Sequence, residues 1–241
     1  MQIFFINLDK DTDRLERIQS QLDASGVSAT RLPAVFWKEL PQSQKDEIYS
    51  ESLNHSQYYK PLANGEKGCY ASHIKAWKLL LASEPASIVV LEDDVGPGPG
   101  FSDVISAIER LDRPWDMIKL LSREEEKIKS SQPLSGDYQL IEYQRVPSWT
   151  AGYVISRSGA EKLLRSRIPF GRPIDVDLRF WFENDMHILG VYPSPIYLDE
   201  TSDASSIWAG SQEEKIRISQ RLKKFAMKIR MNVGYLLHRP S

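Results

Sequence analysis

The sequence predicts an α/β protein with a mainly parallel central sheet, on three observations. Ile88-Val89-Val90-Leu91 is an unbroken apolar run, largely β-branched, of the kind found in strands buried on both faces. Ile3 to Leu8 has the same character and leads through a helical pattern to a second short apolar segment, a β-α-β opening. Strand-like and helix-like segments then alternate to about residue 192. At 241 residues the chain is long enough for one substantial core.

The first strand ends at Asn7-Leu8-Asp9, and Asp11-Thr12-Asp13 supplies N-cap candidates. Leu15, Ile18 and Leu22 keep one apolar face until Gly26 closes the helix. A second strand is expected around residues 29–36. Asn7, Asp9, Asp13 and Arg14 lie in and after the first turn, as in a nucleotide-binding half. The Gly-x-Gly-x-x-Gly and Gly-x-x-x-x-Gly-Lys fingerprints are both absent. A solvated first helical turn with one ion pair explains Asp13 and Arg14 equally well.

Residues 38–64 are polar and Tyr-rich, fitting a short helix and a mobile loop with Tyr58, Tyr59 and Lys60. Gly65-Glu66-Lys67-Gly68-Cys69-Tyr70-Ala71-Ser72-His73 leads into a helix with Ile74, Trp77 and Leu81 inward. Gly68 permits close backbone approach, and Ser72 and His73 are expected near the helix start, where an anion is favoured. A purely structural His73 is the plainer reading.

The apolar run at 88–91 passes straight into Glu92-Asp93-Asp94, and Gly96-Pro97-Gly98-Pro99-Gly100 stops it. The acids therefore fall at the strand's carboxyl edge, where open α/β sheets bind ligands. Alternation turns Glu92 and Asp94 to one side and Asp93 to the other. Three adjacent carboxylates with no Lys or Arg among them resist full ionisation. A hard cation such as Mn²⁺ or Mg²⁺, sharing diphosphate oxygens, removes that conflict. A solvent-screened acidic loop is the alternative.

Phe101, Val104, Ile105, Ile108 and Leu111 mark an amphipathic helix, and residues 116–121 a buried strand. Ser122 to Asp137 reads as a charged surface excursion or lid, and Gln139 to Val146 as an edge strand. Trp149 to Ser156 is a strand whose small residues let something approach its start. Ser158, with Glu161 three residues on, is expected to cap the next helix. Asp175 and Asp177, two apart before the aromatic Leu178-to-Phe182 segment, include a general-base candidate or form an N-cap pair. Residues 186–192 form a last strand, and Asp199 to Ser206 a substrate-side loop.

From Lys215 to Arg239 there is no acid. Ile218, Leu222, Phe225, Ile229, Val233 and Leu236 recur at helical spacing beside Arg217, Arg221, Lys224 and Lys228. This basic amphipathic helix suits an anionic membrane surface or packs on the core. The expected division is a domain over 1–211 and a helical tail over 212–241. A net charge of -2 points away from nucleic acid. A single cysteine, Cys69, excludes an internal disulfide and a zinc site built from cysteines, and suits a reducing cytoplasm. The N-terminus lacks the basic and small-residue features of a signal peptide, so a cytoplasmic protein is expected, peripheral on the inner membrane face through its tail.

Taken together, Ile6-Asn7-Leu8-Asp9 with Asp13-Arg14, Gly65-Glu66-Lys67-Gly68-Cys69 with Ser72-His73 and Trp77, Leu91-Glu92-Asp93-Asp94, Ala151-Gly152-Tyr153 with Gly159-Ala160, and Pro173-Ile174-Asp175 resemble glycosyltransferase family 25 in the right order. That family covers bacterial lipooligosaccharide galactosyltransferases and collagen-modifying relatives. Lys67 departs from it, standing where an apolar residue is usual. The resemblance implies a GT-A-like, Rossmann-type sandwich and an inverting transfer, commonly from UDP-galactose, to a hydroxyl of a lipooligosaccharide, lipid-linked oligosaccharide or other glycan. It implies Mn²⁺ or Mg²⁺ at Asp94, assisted by Glu92 or Asp93. Asp175 is the expected base, with Asp177 as substitute and Asp93 open. Asn7, Asp13, Arg14, Gly68, Ser72, His73 and Gly152 are expected on the nucleotide or diphosphate, and Trp149, Trp181 and Trp208 as sugar-stacking surfaces. The rival readings are a non-catalytic nucleotide-sugar or glycan binding module of the same fold, and a metal-dependent phosphoester hydrolase.

Overall fold

The computed structural model describes residues 1–122, 126–199 and 218–238. The chain opens with β1 (Gln2–Asn7), α1 (Thr12–Ala24) and β2 (Thr30–Pro33), the expected β-α-β unit. Two short helices, α2 (Gln42–Ile48) and α3 (Glu51–Gln57), precede the long α4 (Asn64–Ala82). Next come β3 (Ser87–Glu92), β4 (Val95–Pro97), α5 (Phe101–Glu109) and β5 (Met117–Lys119). A hairpin of β6 (Ile128–Ser135) and β7 (Tyr138–Tyr143) leads to β8 (Gly152–Ser156), α6 (Arg157–Arg167) and α7 (Ile174–Asp177). β9 (Ile188–Tyr192), β10 (Ile196–Leu198) and α8 (Ile218–Leu237) complete the described chain.

Among the described residues the main sheet has eight strands, in the order β2-β1-β3-β8-β5-β9-β7-β6. Six run one way; β8 and β7 run against them, β8 lying between β3 and β5. The sheet is therefore mainly parallel in strand direction, as expected, with two reversed strands. Burial of β3 alternates in partner rather than in exposure. Ile88 and Val90 pack with Trp77, Leu80 and Leu163, while Val89 and Leu91 pack with Ile18, Val104 and Ile105. Helices thus cover both faces, which is why the strand's sequence is apolar throughout.

Four expectations need correction. Residues 122–137 do not form a lid alone: β6 pairs antiparallel with β7 and takes the sheet's edge, leaving β7 inside. Its charged, mostly exposed sequence is that of an outer strand. α4 begins at Asn64, where the Glu66 carboxylate accepts the Ala63 N–H at 2.7 Å, so Ser72 and His73 lie more than two turns inside the helix. α6 is capped by Ser156, whose Oγ accepts the Gly159 N–H at 3.1 Å; Ser158 instead donates to Asp116. Finally, α8 does not pack by its predicted apolar stripe. Met231, Gly234 and Tyr235 dock it: a side chain at Gly234 would collide with Phe182, and Tyr235 Oη accepts the Val146 N–H at 3.0 Å. Ile218, Leu222, Phe225, Ile229, Val233 and Leu236 stay exposed. The boundary at 211, Lys215, Arg217 and Trp208 lie outside the described residues.

Candidate active site

β1 and β3 are parallel neighbours, with Ile6 beside Glu92, so Asn7 and the three acids converge at one sheet edge. There a cleft of about 490 Å³ is walled by the β1–α1 turn, residues 34–38 after β2, and one face of α4. Glu92, Asp93 and Asp94 all line it. The expected splitting of the acids to opposite sides fails because the strand ends at Glu92 and a turn carries Asp93 and Asp94.

The three carboxylates have different partners. Asp93 Oδ2 accepts from Asn7 Nδ2 at 2.8 Å, and its Oδ1 accepts from Arg14 Nη1 at 2.7 Å. Burial raises its pKa in spite of those contacts. Asn7 is itself pinned by Arg31, whose Nε donates to its Oδ1 at 3.0 Å. Glu92 Oε1 accepts from Thr150 Oγ1 at 2.7 Å and stands 3.4 Å from His73 Nε2. Burial favours the neutral form of Glu92, but His73, the Thr150 hydroxyl and the Arg14 charge outweigh it and hold its pKa below the usual range. Asp94 differs again: among the described residues its buried Oδ1 has no hydrogen-bond partner. Burial, followed by the charges of Glu92 and Asp93, pushes its carboxyl from 3.8 up to about 7. An orphaned carboxylate oxygen beside two further acids suits a hard divalent cation, so Asp94 fits the implied metal.

That pKa has a consequence for stability. The folded state holds the Asp94 proton more tightly than the unfolded chain does, so this contribution is complete below about pH 4 and is lost as the pH climbs to about 7. Thermal melts of the metal-free protein should show Tm falling from about pH 5 to about pH 7.5, and Asp94→Asn should flatten the fall. An equal slope in both proteins would contradict this.

The remaining predicted site residues separate. Arg14 lines the cleft; Asp13 is exposed on α1 outside it, and Asp11 takes the wall position. Ser72 is buried, donating to Gly68 O at 2.7 Å and accepting the Val35 N–H at 2.8 Å. A Cβ on Gly68 would come within 2.7 Å of Val35 O. Both residues therefore hold the wall loop on α4, and the close approach foreseen at Gly68 is made by the protein's own backbone. Gly152 lies outside the cleft, small because Ile196 packs where a side chain would stand. His73 is 1% exposed, and its Nδ1 is 2.8 Å from Tyr153 Oη, which also accepts from Trp77 Nε1 at 3.0 Å.

Asp175 and Asp177 do not share an environment. Asp177 is buried, with Oδ2 accepting from Tyr70 Oη at 2.6 Å and Oδ1 from Arg172 Nε at 2.8 Å. Arg167 and Glu183 complete that ionic cluster, so Asp177 serves the fold and has no oxygen left for a substrate proton. Asp175 remains half-buried; burial raises its pKa, against a backbone hydrogen bond and the charge of Lys119. Its charge is also felt at Cys69, in the cleft wall.

Trp149 has a left-handed backbone (φ 82°) and is 39% exposed, while Lys119 donates to Pro147 O and Ser148 O and so anchors its loop. Trp181 packs edge-on against Phe182 and Tyr235, which makes it part of the α8 dock. Arg31 and Thr150 support the site without any local pattern that marks them, and Tyr153, though part of the Ala151-Gly152-Tyr153 motif, does so through contacts that the motif does not announce. Their signal lies in the tertiary fold: Arg31 meets Asn7 from the neighbouring strand, Thr150 reaches Glu92 at the end of β3, and Tyr153 meets His73 and Trp77 on α4.

A family model described as Glycosyltransferase family 25 (LPS biosynthesis protein) matches residues 1–178. A "Glycosyltransferase 25 family member" of Anopheles gambiae is 30% identical over 198 residues, covering 76% of this chain and 32% of that protein. Procollagen galactosyltransferase 2 of Homo sapiens is 31% identical over 183 residues, covering 73% and 29%. The chain spans about a third of the length of these relatives. Among solved structures, a Drosophila beta-galactosyltransferase 7 mutant complexed with manganese, UDP-Gal and xylobiose superposes with TM-score 0.40 at 8% identity, over 92% of this chain and 79% of that one. That likeness is too loose to inform the site. The family match covers the β-α-β opening, the α4 wall, the acidic edge and α7 through Asp177 in one run, and the chain belongs to glycosyltransferase family 25.

Proposed function

We propose that this chain is a glycosyltransferase that moves a hexose from a UDP-sugar, UDP-galactose first among them, to a hydroxyl of a lipooligosaccharide or similar glycan, with inversion. The observation that carries the reading is the orphaned Oδ1 of Asp94 at the carboxyl edge of β3, facing a cleft that also holds Arg14. A divalent cation bound there supplies positive charge against the diphosphate that departs from the sugar. Asp94 is its principal protein ligand. Asp93 orients Arg14 and Asn7, and the Arg14 guanidinium offers the phosphates a fixed positive group. Asp175, the one of the three base candidates whose oxygens are not consumed by ion pairs, takes the acceptor hydroxyl's proton as the new bond forms.

The test is UDP release by the purified chain across donors and glycan acceptors. Release that needs both acceptor and Mn²⁺, and stops with EDTA, supports transfer. UDP binding without donor consumption makes it a binding module, and acceptor-independent phosphate release a hydrolase.

We further propose that α8 rests on an anionic membrane surface. Its apolar stripe faces outward, with exposed Arg221 and Lys228 beside it, while a different face docks to the domain. No described helix is long and apolar enough to cross a membrane. Vesicles containing anionic lipid should retain the full chain, and Leu222→Glu with Phe225→Glu should release it. Equal retention of both proteins would remove the membrane role.

A further inference from the structure

We propose that Cys69, His73 and Glu92 form a binding site for a borderline-soft divalent cation of the zinc class on the floor of the cleft, separate from the hard-ion position at Asp94.

Helical spacing makes the first half of the site. Cys69 and His73 are four residues apart on α4, so the thiol and the imidazole rise from one face of the helix. The end of β3 brings Glu92 against them, and one donor atom from each residue lies within 4.8 Å of the others. A tetrahedral zinc centre with a 2.3 Å bond to sulfur and bonds near 2.0–2.1 Å to nitrogen and oxygen needs its donors about 3.5 Å apart, a small closure from this arrangement.

The histidine points to a ligand independently of the cysteine. His73 is 1% exposed, yet its Nε2 makes no hydrogen bond among the described residues. The ring nitrogen stands 3.4 Å from Glu92 Oε1, an ion-pair distance when the ring is protonated, but without the alignment of a hydrogen bond. A buried ring nitrogen left this way is costly, and a cation between it and the carboxylate satisfies both.

Outer partners are already in place. Tyr153 Oη lies on Nδ1 and fixes the ring with Nε2 inward, while Thr150 Oγ1 holds the Glu92 carboxylate. Hydrogen bonds of this kind orient imidazole and carboxylate ligands in metal sites. The chemistry of the donors then selects the ion. Thiolate and imidazole favour zinc over magnesium or manganese, whereas the all-oxygen surroundings of Asp94 favour the hard ions. Three protein donors leave a fourth position, and all three residues line the open cleft, so solvent or a small ligand can fill it. Binding releases the Cys69 thiol proton to solvent.

Cation binding at this site does not depend on sugar transfer, and its readouts need no activity. Co²⁺ is titrated into the full-length reduced protein without nucleotide. The expected result is a thiolate-to-cobalt charge-transfer band that saturates near one equivalent and is bleached by Zn²⁺. Because Cys69 is the only cysteine, any such band reports this residue without a variant. Cys69→Ser should lose the band, His73→Gln should weaken zinc binding at least about tenfold, and Asp94→Asn should keep the band. The absence of a band from the wild-type protein overturns the proposal. So does saturation at half an equivalent, which means two chains sharing one ion, or a His73→Gln protein that binds zinc as tightly as wild type.

Discussion

Asp94→Asn, assayed for Mn²⁺-dependent UDP release, should lose on the order of 10²–10³ in rate while keeping its fold. The fold should survive because the Asp94 side chain supports no other residue: its Oδ1 is orphaned, and what ties this position to the chain is its backbone oxygen, which accepts the Asp199 N–H at 2.8 Å. Replacing the acid by its amide removes charge and leaves that backbone contact. Metal affinity should fall together with the rate, and excess Mn²⁺ should recover only part of it. Near-normal transfer by this variant would mean that the diphosphate is gripped elsewhere.

Asp175→Asn is expected to fail differently. General-base removal costs about 10²–10⁴ in rate, and the loss should fall on kcat with the donor KM and Mn²⁺ affinity close to wild type. Asp175 is the base proposed here because the other two candidates are engaged: Asp177 is locked between Tyr70 and Arg172, and Asp93 between Asn7 and Arg14. Burial already lifts the Asp175 pKa towards the range in which a carboxylate accepts a proton effectively. If Asp175→Asn keeps its kcat, the base is another group. If donor KM and metal affinity collapse instead, Asp175 belongs to the donor site.

The acidic edge was legible in the sequence because a strand buried on both faces is written as an uninterrupted apolar run, and the abrupt end of that run puts Glu92, Asp93 and Asp94 at the sheet's rim. β6 was not legible: its middle residues, Lys129 to Pro133, are all exposed and show no alternation to read, so it looked like a charged loop. The start of α4 was hidden by Asn64 and Gly65, poor helix formers whose position is secured by the Glu66 carboxylate. The docking face of α8 was not legible because periodicity ranks apolarity, whereas Gly234 is chosen for closeness to Phe182. In the cleft, the types of residue were visible but their commitments were not. That Asp93 spends both oxygens, one on Asn7 86 residues away, is a product of strand neighbours and of no local pattern.

The outermost strand, β6, bears on how the protein behaves when concentrated. A smooth outer strand offers its bare amides and carbonyls to another molecule, and chains can then zip together edge to edge. Here Pro133 has no amide hydrogen to offer, register shifts at Ile128/Ser130 and Pro133/Ser135 break the spacing a visitor must match, and Lys129 sets a charge along the rim. The sheet carries its own guard against polymerisation, and smoothing those irregularities away would make fibres the new hazard.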